Sequence, residues 1–177
     1  MRIKNFKNNK FANVSNESVG MIETDHLMVH QGKSFLYTRK DTLSNNEVVN
    51  IGIYLSNPLK ACHLLHLVHG ISEYTIYLYE DAVYTGGSPL PPKNRNRIYK
   101  TTLADTALVL APTITDEGTL LHSDNIGSGN QTGGDSRENN EWILAPETYY
   151  LLRVISNSNT NLITQIIEFY ENLLENL

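Results

Sequence analysis

From about residue 19 onward, apolar and aromatic positions come in runs of four to eight residues separated by Gly, Asn, Asp and Pro: FLYT, VVNIGIYL, HLLHLVHG, YTIYLYE, TALVLA, EWIL and TYYLLRVI. Runs of this length, rich in Val, Ile, Tyr and Thr and bounded by turn-forming residues, predict short strands and an all-β sandwich or barrel. In YTIYLYE, alternation places Tyr74, Ile76 and Leu78 on one face and Thr75, Tyr77 and Tyr79 on the other. Both faces are apolar or aromatic, so this strand is expected inside a sandwich or against a neighbouring element.

Two stretches break the pattern. GGSPLPPKNRNR, Gly86 to Arg97, holds three prolines and two glycines. Proline cannot donate to a ladder, so this segment must be a loop or an edge crossing. IGSGNQTGGDSRENN, Ile126 to Asn140, has almost no apolar content and reads as a long loop of the functional or interfacial kind. Its glycines do not match phosphate-loop spacing and lack the strand-before, helix-after context of that motif. The C-terminus reads two ways. Leu162, Ile166, Phe169, Tyr170, Leu173 and Leu177 fall on one helical face, with Asn161 as a cap, while Ile163, Ile167 and Phe169 would share one side of a strand. Periodicity alone leans slightly towards the helix.

Length and charge narrow the class. The 177 residues make one domain, or one domain plus an arm, and the single cysteine excludes an intrachain disulfide or a Cys-rich zinc module. No apolar run approaches a membrane span, and the basic start MRIKNFKNNKF lacks the apolar stretch of a secretion signal, so the chain reads as soluble and unprocessed. The net charge is −5, but Arg2, Lys4, Lys7 and Lys10 against Glu17 give residues 1–20 a local +3, leaving −8 for the rest. Residues 1–19 therefore read as a flexible basic arm. The acidic body argues against nucleic acid as a partner.

The segment ACHLLHLVHG places His63, His66 and His69 beside the only cysteine, Cys62. Helical ligand pairs sit at i and i+4 with a carboxylate nearby, whereas this spacing is HxxHxxH and the run is of strand length. On a strand His63 and His69 share a face and His66 points through the other, so the three cannot converge on a metal. Cupin-like sites use a closely spaced HxH pair that is missing here, and His26, His30 and His122 are not united with the run by any spacing. Cys62, between apolar neighbours, reads as inert packing. In HSD, His122 to Asp124, adjacent residues face opposite ways and cannot form a serine relay. There is no GxSxG turn. The chain reads as non-enzymatic, without cofactor or metal.

Four separated segments carry a resemblance: HLMVHQGKSFLY (26–37), YEDAVYTGGSPLPPKNRNR (79–97), PTITDEGTLLHSDNIGSGNQTGG (112–134) and EWILAPETYYLLRVISNSNTN (141–161). In order and spacing, over about residues 20–171, they resemble a group of tailed-phage virion accessory proteins of the capsid decoration, cement or head-fibre kind. That resemblance implies a jelly-roll-like β-sandwich over residues 20–171, commonly trimeric, attached to the major capsid protein or another virion protein, in particles made in the host bacterial cytoplasm. It also implies that ITQIIEFYE, Ile163 to Glu171, is the last core strand and that 172–177 is a short helical or frayed tail.

For such a role, loops matter more than clefts, because many copies on a lattice bind by avidity. Lys93, Arg95, Arg97 and Lys100 place four cations within eight residues of a proline-stiffened loop, suited to acidic groups on a neighbour. The arm's Arg2, Lys4, Lys7 and Lys10 are a second candidate interface, and Arg137 with Glu138 in the Gly-rich segment could pair across subunits. The chain also has ten tyrosines among many Asn and Asp residues, so a glycan-binding adhesin or tail-appendage module is the second reading. A cupin-like metal enzyme is a distant third. Trp142, followed by Ile143 and Leu144, reads as a core anchor rather than a sugar platform.

Overall fold

The structure, a computed structural model, describes residues 2–5, 10–14, 19–22, 24–127 and 141–176. Near the N-terminus, β1 (Arg2–Asn5), β2 (Lys10–Val14) and β3 (Val19–Ile22) pair antiparallel into a three-stranded sheet of their own. The low hydrophobicity of the arm did not signal these strands, because a ladder between neighbouring short segments is built from backbone groups.

Next comes a short helix that the strand pattern did not predict, α1 (Thr24–His30). It buries Met28 and ends in a turn where the Lys33 N–H donates to the Met28 carbonyl (2.9 Å) and the Gly32 N–H to the Val29 carbonyl (3.0 Å). Gly32 takes the left-handed φ of 69° that this ending requires, and a Cβ there would lie 2.6 Å from the Tyr99 ring.

The apolar runs then become β4 (Ser34–Leu43), β5 (Val48–Leu55), β6 (Lys60–Gly70) and β7 (Tyr74–Glu80). β8 (Val83–Thr85) follows, and the proline-rich stretch supplies β9 (Ser88–Leu90) and β10 (Lys93–Asn94) and leads into a 3₁₀ turn at Arg97–Tyr99. After it come β11 (Thr106–Leu110), β12 (Thr113–Asp116), β13 (Thr119–Ile126), β14 (Glu141–Leu144), β15 (Tyr149–Ser156) and β16 (Asn161–Leu173), closed by a 3₁₀ turn at Leu174–Asn176.

Two sheets face each other, one in the order β10-β4-β16-β6-β14 and the other in the order β13-β7-β15-β5-β11-β9, with every pairing antiparallel. The first long strand, β4, pairs with the last, β16, and successive pairs β4/β5, β6/β7, β13/β14 and β15/β16 each cross between sheets. This is the eight-stranded jelly-roll arrangement, with β9, β10 and β11 added at its edges. The C-terminal ambiguity resolves as a strand. Ile163, Ile167 and Phe169 are fully buried in the sandwich, while Leu162, on the supposed helical face, is exposed. The proline-rich segment is the expected edge crossing: β9 is the edge of one sheet, paired with β11, and β10 the edge of the other, paired with β4.

The core lies between the sheets, with Phe35, Ile51, Ile53, Leu64, Leu152 and Phe169 sealed from solvent; each such side chain contributes about 1.5–3 kcal/mol of burial. The second face of β7 is covered as its composition demanded. Tyr79 and Leu151 pack under the two-stranded β8–β12 flap, against Tyr84 and Ile114. Gly52 makes room for that flap, since a Cβ there would lie 2.5 Å from the Tyr84 ring, whose hydroxyl donates to the Ile53 carbonyl at 3.0 Å.

Candidate functional site

Alternation in KNRNR sorts the basic loop into inward-facing anchors, Asn94 buried and Asn96 half-buried, and displayed charges. Asn94 is 2% exposed; its amide donates to the Gly32 carbonyl (2.7 Å) and its side-chain oxygen accepts the Asn96 N–H (2.9 Å). Asn96 in turn donates to the His30 carbonyl (3.1 Å) and caps the 3₁₀ turn by accepting the Ile98 N–H (3.0 Å). The loop is thereby fastened to the end of α1, with two further prolines, Pro91 and Pro92, leading into it.

Between these anchors Lys93, Arg95, Arg97 and Lys100 are exposed. They are not equivalent. The Arg95 guanidinium forms an ion pair with Glu168 of β16, so its charge is already matched within the chain. Arg97 donates to the Asn94 carbonyl at 3.2 Å, a neutral partner, and among the described residues no carboxylate pairs with it. The sequence signalled the cations and missed what stands among them: Ile98 is 87% exposed, Leu103 86% and Tyr99 44%. Leu59, 67% exposed, lies at the same end of the sandwich, because its neighbour Lys60 is ion-paired at 2.6 Å with Asp105, two residues beyond Leu103. Basic residues framing exposed aliphatic side chains make a surface of the kind that docks on another macromolecule.

Of the other predicted contact residues, Arg2, Lys4 and Lys10 lie on β1 and β2, while Lys7, Arg137, Glu138 and most of the Gly-rich segment fall outside the described residues.

The histidine run divides as its alternation required for His63 and His66. His63 points away from the main core, stacked on Tyr170 with centroids 4.3 Å apart, and its Nδ1 lies 2.9 Å from Glu141 Oε1. His69 is exposed. His66 points between the sheets, where its Nε2 lies 3.2 Å from Gln165 Oε1. Since that oxygen can only accept, Nε2 carries the proton. Burial, with nearby His122, pushes the His66 pKa down to about 4, so the ring is neutral at pH 7 and its Nδ1 is an acceptor. Cys62 is fully buried, and burial pushes its thiol up to about 12, as expected of an inert packing residue.

His66 also belongs to a cavity of about 130 Å³ that the sequence did not reveal. It lies where edge strand β13 of one sheet faces edge strand β14 of the other. His122 and Asp124 stand opposite Leu78 and Ile76 of β7, and Trp142 stands opposite Leu64 of β6; all reach the cavity wall. In HSD the alternation holds, with His122 and Asp124 lining the cavity and Ser123 not. Trp142 packs on the core, as its neighbours predicted, and lines the cavity as well, with its ring 6.2 Å from that of His122. His26 and His30 stack on each other at 4.7 Å, on α1 rather than at the cavity. Among the described residues no group of three or more His, Cys, Asp or Glu side chains is placed to hold a metal ion.

Comparison with protein-family models, with curated proteins and with solved structures finds no match to this chain.

Proposed function

We propose that this chain is a structural accessory protein of a tailed-phage virion, a decoration or head-fibre type subunit that attaches to the capsid surface as a homotrimer. The observation that carries the reading is the loop from Pro91 to Asp105. Asn94 and Asn96 fasten it to the end of α1, and it displays Lys93, Arg97 and Lys100 beside Ile98 and Leu103. A loop already ordered loses little entropy on docking, and repeated copies on a lattice need only a moderate contact each. The order of the phage-like segments along the chain supports the same role, with the GG…NRNR segment forming this loop.

The test is light scattering of the purified protein followed by co-sedimentation with shells of the parent virion that lack it. A mass three times the 20.0 kDa of the chain, with pelleting on shells, is expected. The triple substitution Lys93→Ser, Arg97→Ser, Lys100→Ser should cut occupancy at moderate salt, and Ile98→Ser with Leu103→Ser should do so at any salt. Arg95 is left in place because it is paired to Glu168. Full occupancy by both variants would remove the loop from the interface, and a monomer that ignores shells would end the virion reading.

A further inference from the structure

We propose that the cavity between the β13 and β14 edges is a binding site for one neutral pyranose ring, its apolar face against Trp142 and its hydroxyls met by His66, His122 and Asp124. The site uses none of the residues of the attachment loop, so it stands or falls independently of the virion role.

Size sets the first limit. An apolar cavity of about 150 Å³ takes up a benzene molecule, so about 130 Å³ admits only part of one sugar ring, with the rest of its hydroxyls left at the open mouth. Access comes past Asp124 and His69, which line the cavity and are exposed.

Chemistry sets the second. A benzene-binding cavity is apolar and dry, whereas this one holds three imidazoles, of His66, His69 and His122, and a carboxylate beside Trp142. An apolar ring would cover the half-buried His66 and His122 without offering them a hydrogen bond, which is costly. An anion would meet the Asp124 carboxylate. A metal ion would lack ligands, since no group of three suitable side chains is placed for one among the described residues. A ring with one C–H face and a rim of hydroxyls satisfies both walls. His66 suits the hydroxyl rim, because its Nε2–H donates to Gln165 Oε1, which leaves Nδ1 to accept from a hydroxyl. Behind it, Gln165 Nε2 is buried without a hydrogen-bond partner, in a side chain only 1% exposed. Buried polar atoms are normally satisfied, and of the three exceptions among the described residues, with His63 Nε2 and Thr106 Oγ1, this is the one in a side chain hydrogen-bonded to a residue of the cavity wall.

Trp142 is the only tryptophan of the chain, so its fluorescence reports on this cavity alone. The full chain is titrated with methyl α-D-glucopyranoside, methyl α-D-mannopyranoside, methyl β-D-galactopyranoside and N-acetylglucosamine, with cyclohexanol as the ring without the hydroxyl rim. At least one sugar should give a saturable change with a dissociation constant of the order of 1 mM, and cyclohexanol should bind about tenfold more weakly. Asp124→Asn and His66→Leu should each weaken the sugar about tenfold, and Lys93→Ser should not. Asp124 is exposed, so its variant tests the site even if the His66 variant folds poorly. A disaccharide ending in the preferred ring separates the two sources of that ring. Equal binding means a chain end enters the cavity, and rejection means a free monosaccharide does. No saturable response to any sugar, equal binding of cyclohexanol, or binding unchanged by Asp124→Asn would overturn the assignment.

Discussion

At the Lys60 end of β6 the Glu171 carboxylate is only 2% exposed, yet both its oxygens are occupied: Oε1 accepts the Thr106 N–H at 2.7 Å and Oε2 accepts from Lys60 Nζ at 3.0 Å. Lys60 also pairs with Asp105, which Asn57 supports in turn at 2.9 Å. Burial by itself would lower the Lys60 pKa, but the hydrogen bonds to Asp105 and Glu171 outweigh it and raise it, while Lys60 and Asn57 hold Asp105 below the usual carboxylate range. Six residues along the same strand, the half-buried His66 and the buried Gln165 share one hydrogen bond, with a cavity in front and an unpartnered amide nitrogen behind. One strand thus carries a polar cluster closed in that its charges are matched within it, although the buried Thr106 hydroxyl beside Glu171 lacks a partner, and another left open in that it faces a cavity. Closure is the mark of a group kept for stability, and openness that of a group kept for something that arrives later.

The sharpest way to break this contrast is to remove the centre of the closed cluster. Glu171→Ala leaves a buried N–H and an ammonium short of an acceptor and should lower the unfolding free energy by about 3 kcal/mol in urea melts. If it cost no more than the same change at Gln165, the two clusters would not differ in kind.

Acid should act next, and on the open cluster first. Below pH 6.5 unfolded His66 takes up a proton, while the folded ring resists until about 4. Its contribution to stability is therefore complete above 6.5 and is lost as pH falls through that window, by about 2 kcal/mol once its partial exposure is allowed for. The closed cluster answers in a lower window, below the 3.8 of an ordinary carboxylate, where Asp105 is finally protonated. Urea melts of the parent and His66→Leu between pH 7 and 4 isolate the first effect, and a flat difference between them would count against it.

The smallest effect is expected from closing the open cluster with hydrocarbon. His66→Leu with Gln165→Leu removes both partners and the unsatisfied amide together, and should change stability by less than about 1 kcal/mol, in either direction, while abolishing the sugar response of Trp142. A loss as large as that of Glu171→Ala would make the pair a structural device.

Much of this was written locally. The alternation of YTIYLYE called for a cover on both faces of β7, and the β8–β12 flap supplies one of them. The HxxHxxH spacing kept His63 apart from His66 on β6, although His66 and His69 both line the cavity, and the prolines after Gly86 marked a passage between sheet edges. Side-chain direction on a strand follows from its period of two, which needs no knowledge of neighbours. The C-terminal segment was not settled this way, because its apolar residues fit two periods, and the ladders to β4 and β6 on either side decided for strand. Nor did NRNR disclose that its asparagines face inward or that Arg95 meets Glu168, 73 residues on. The cavity lay furthest from view. His66, Asp124 and Trp142 come from three strands in two sheets and meet only because the jelly roll sets β13 and β14 at facing edges. The sequence by itself determined strands, faces and turns, which are properties of a few consecutive residues. Which edges face each other, and so which polar groups are closed off and which are left open, was decided by pairings between distant segments, whose stability lies in the shared core rather than in either segment alone.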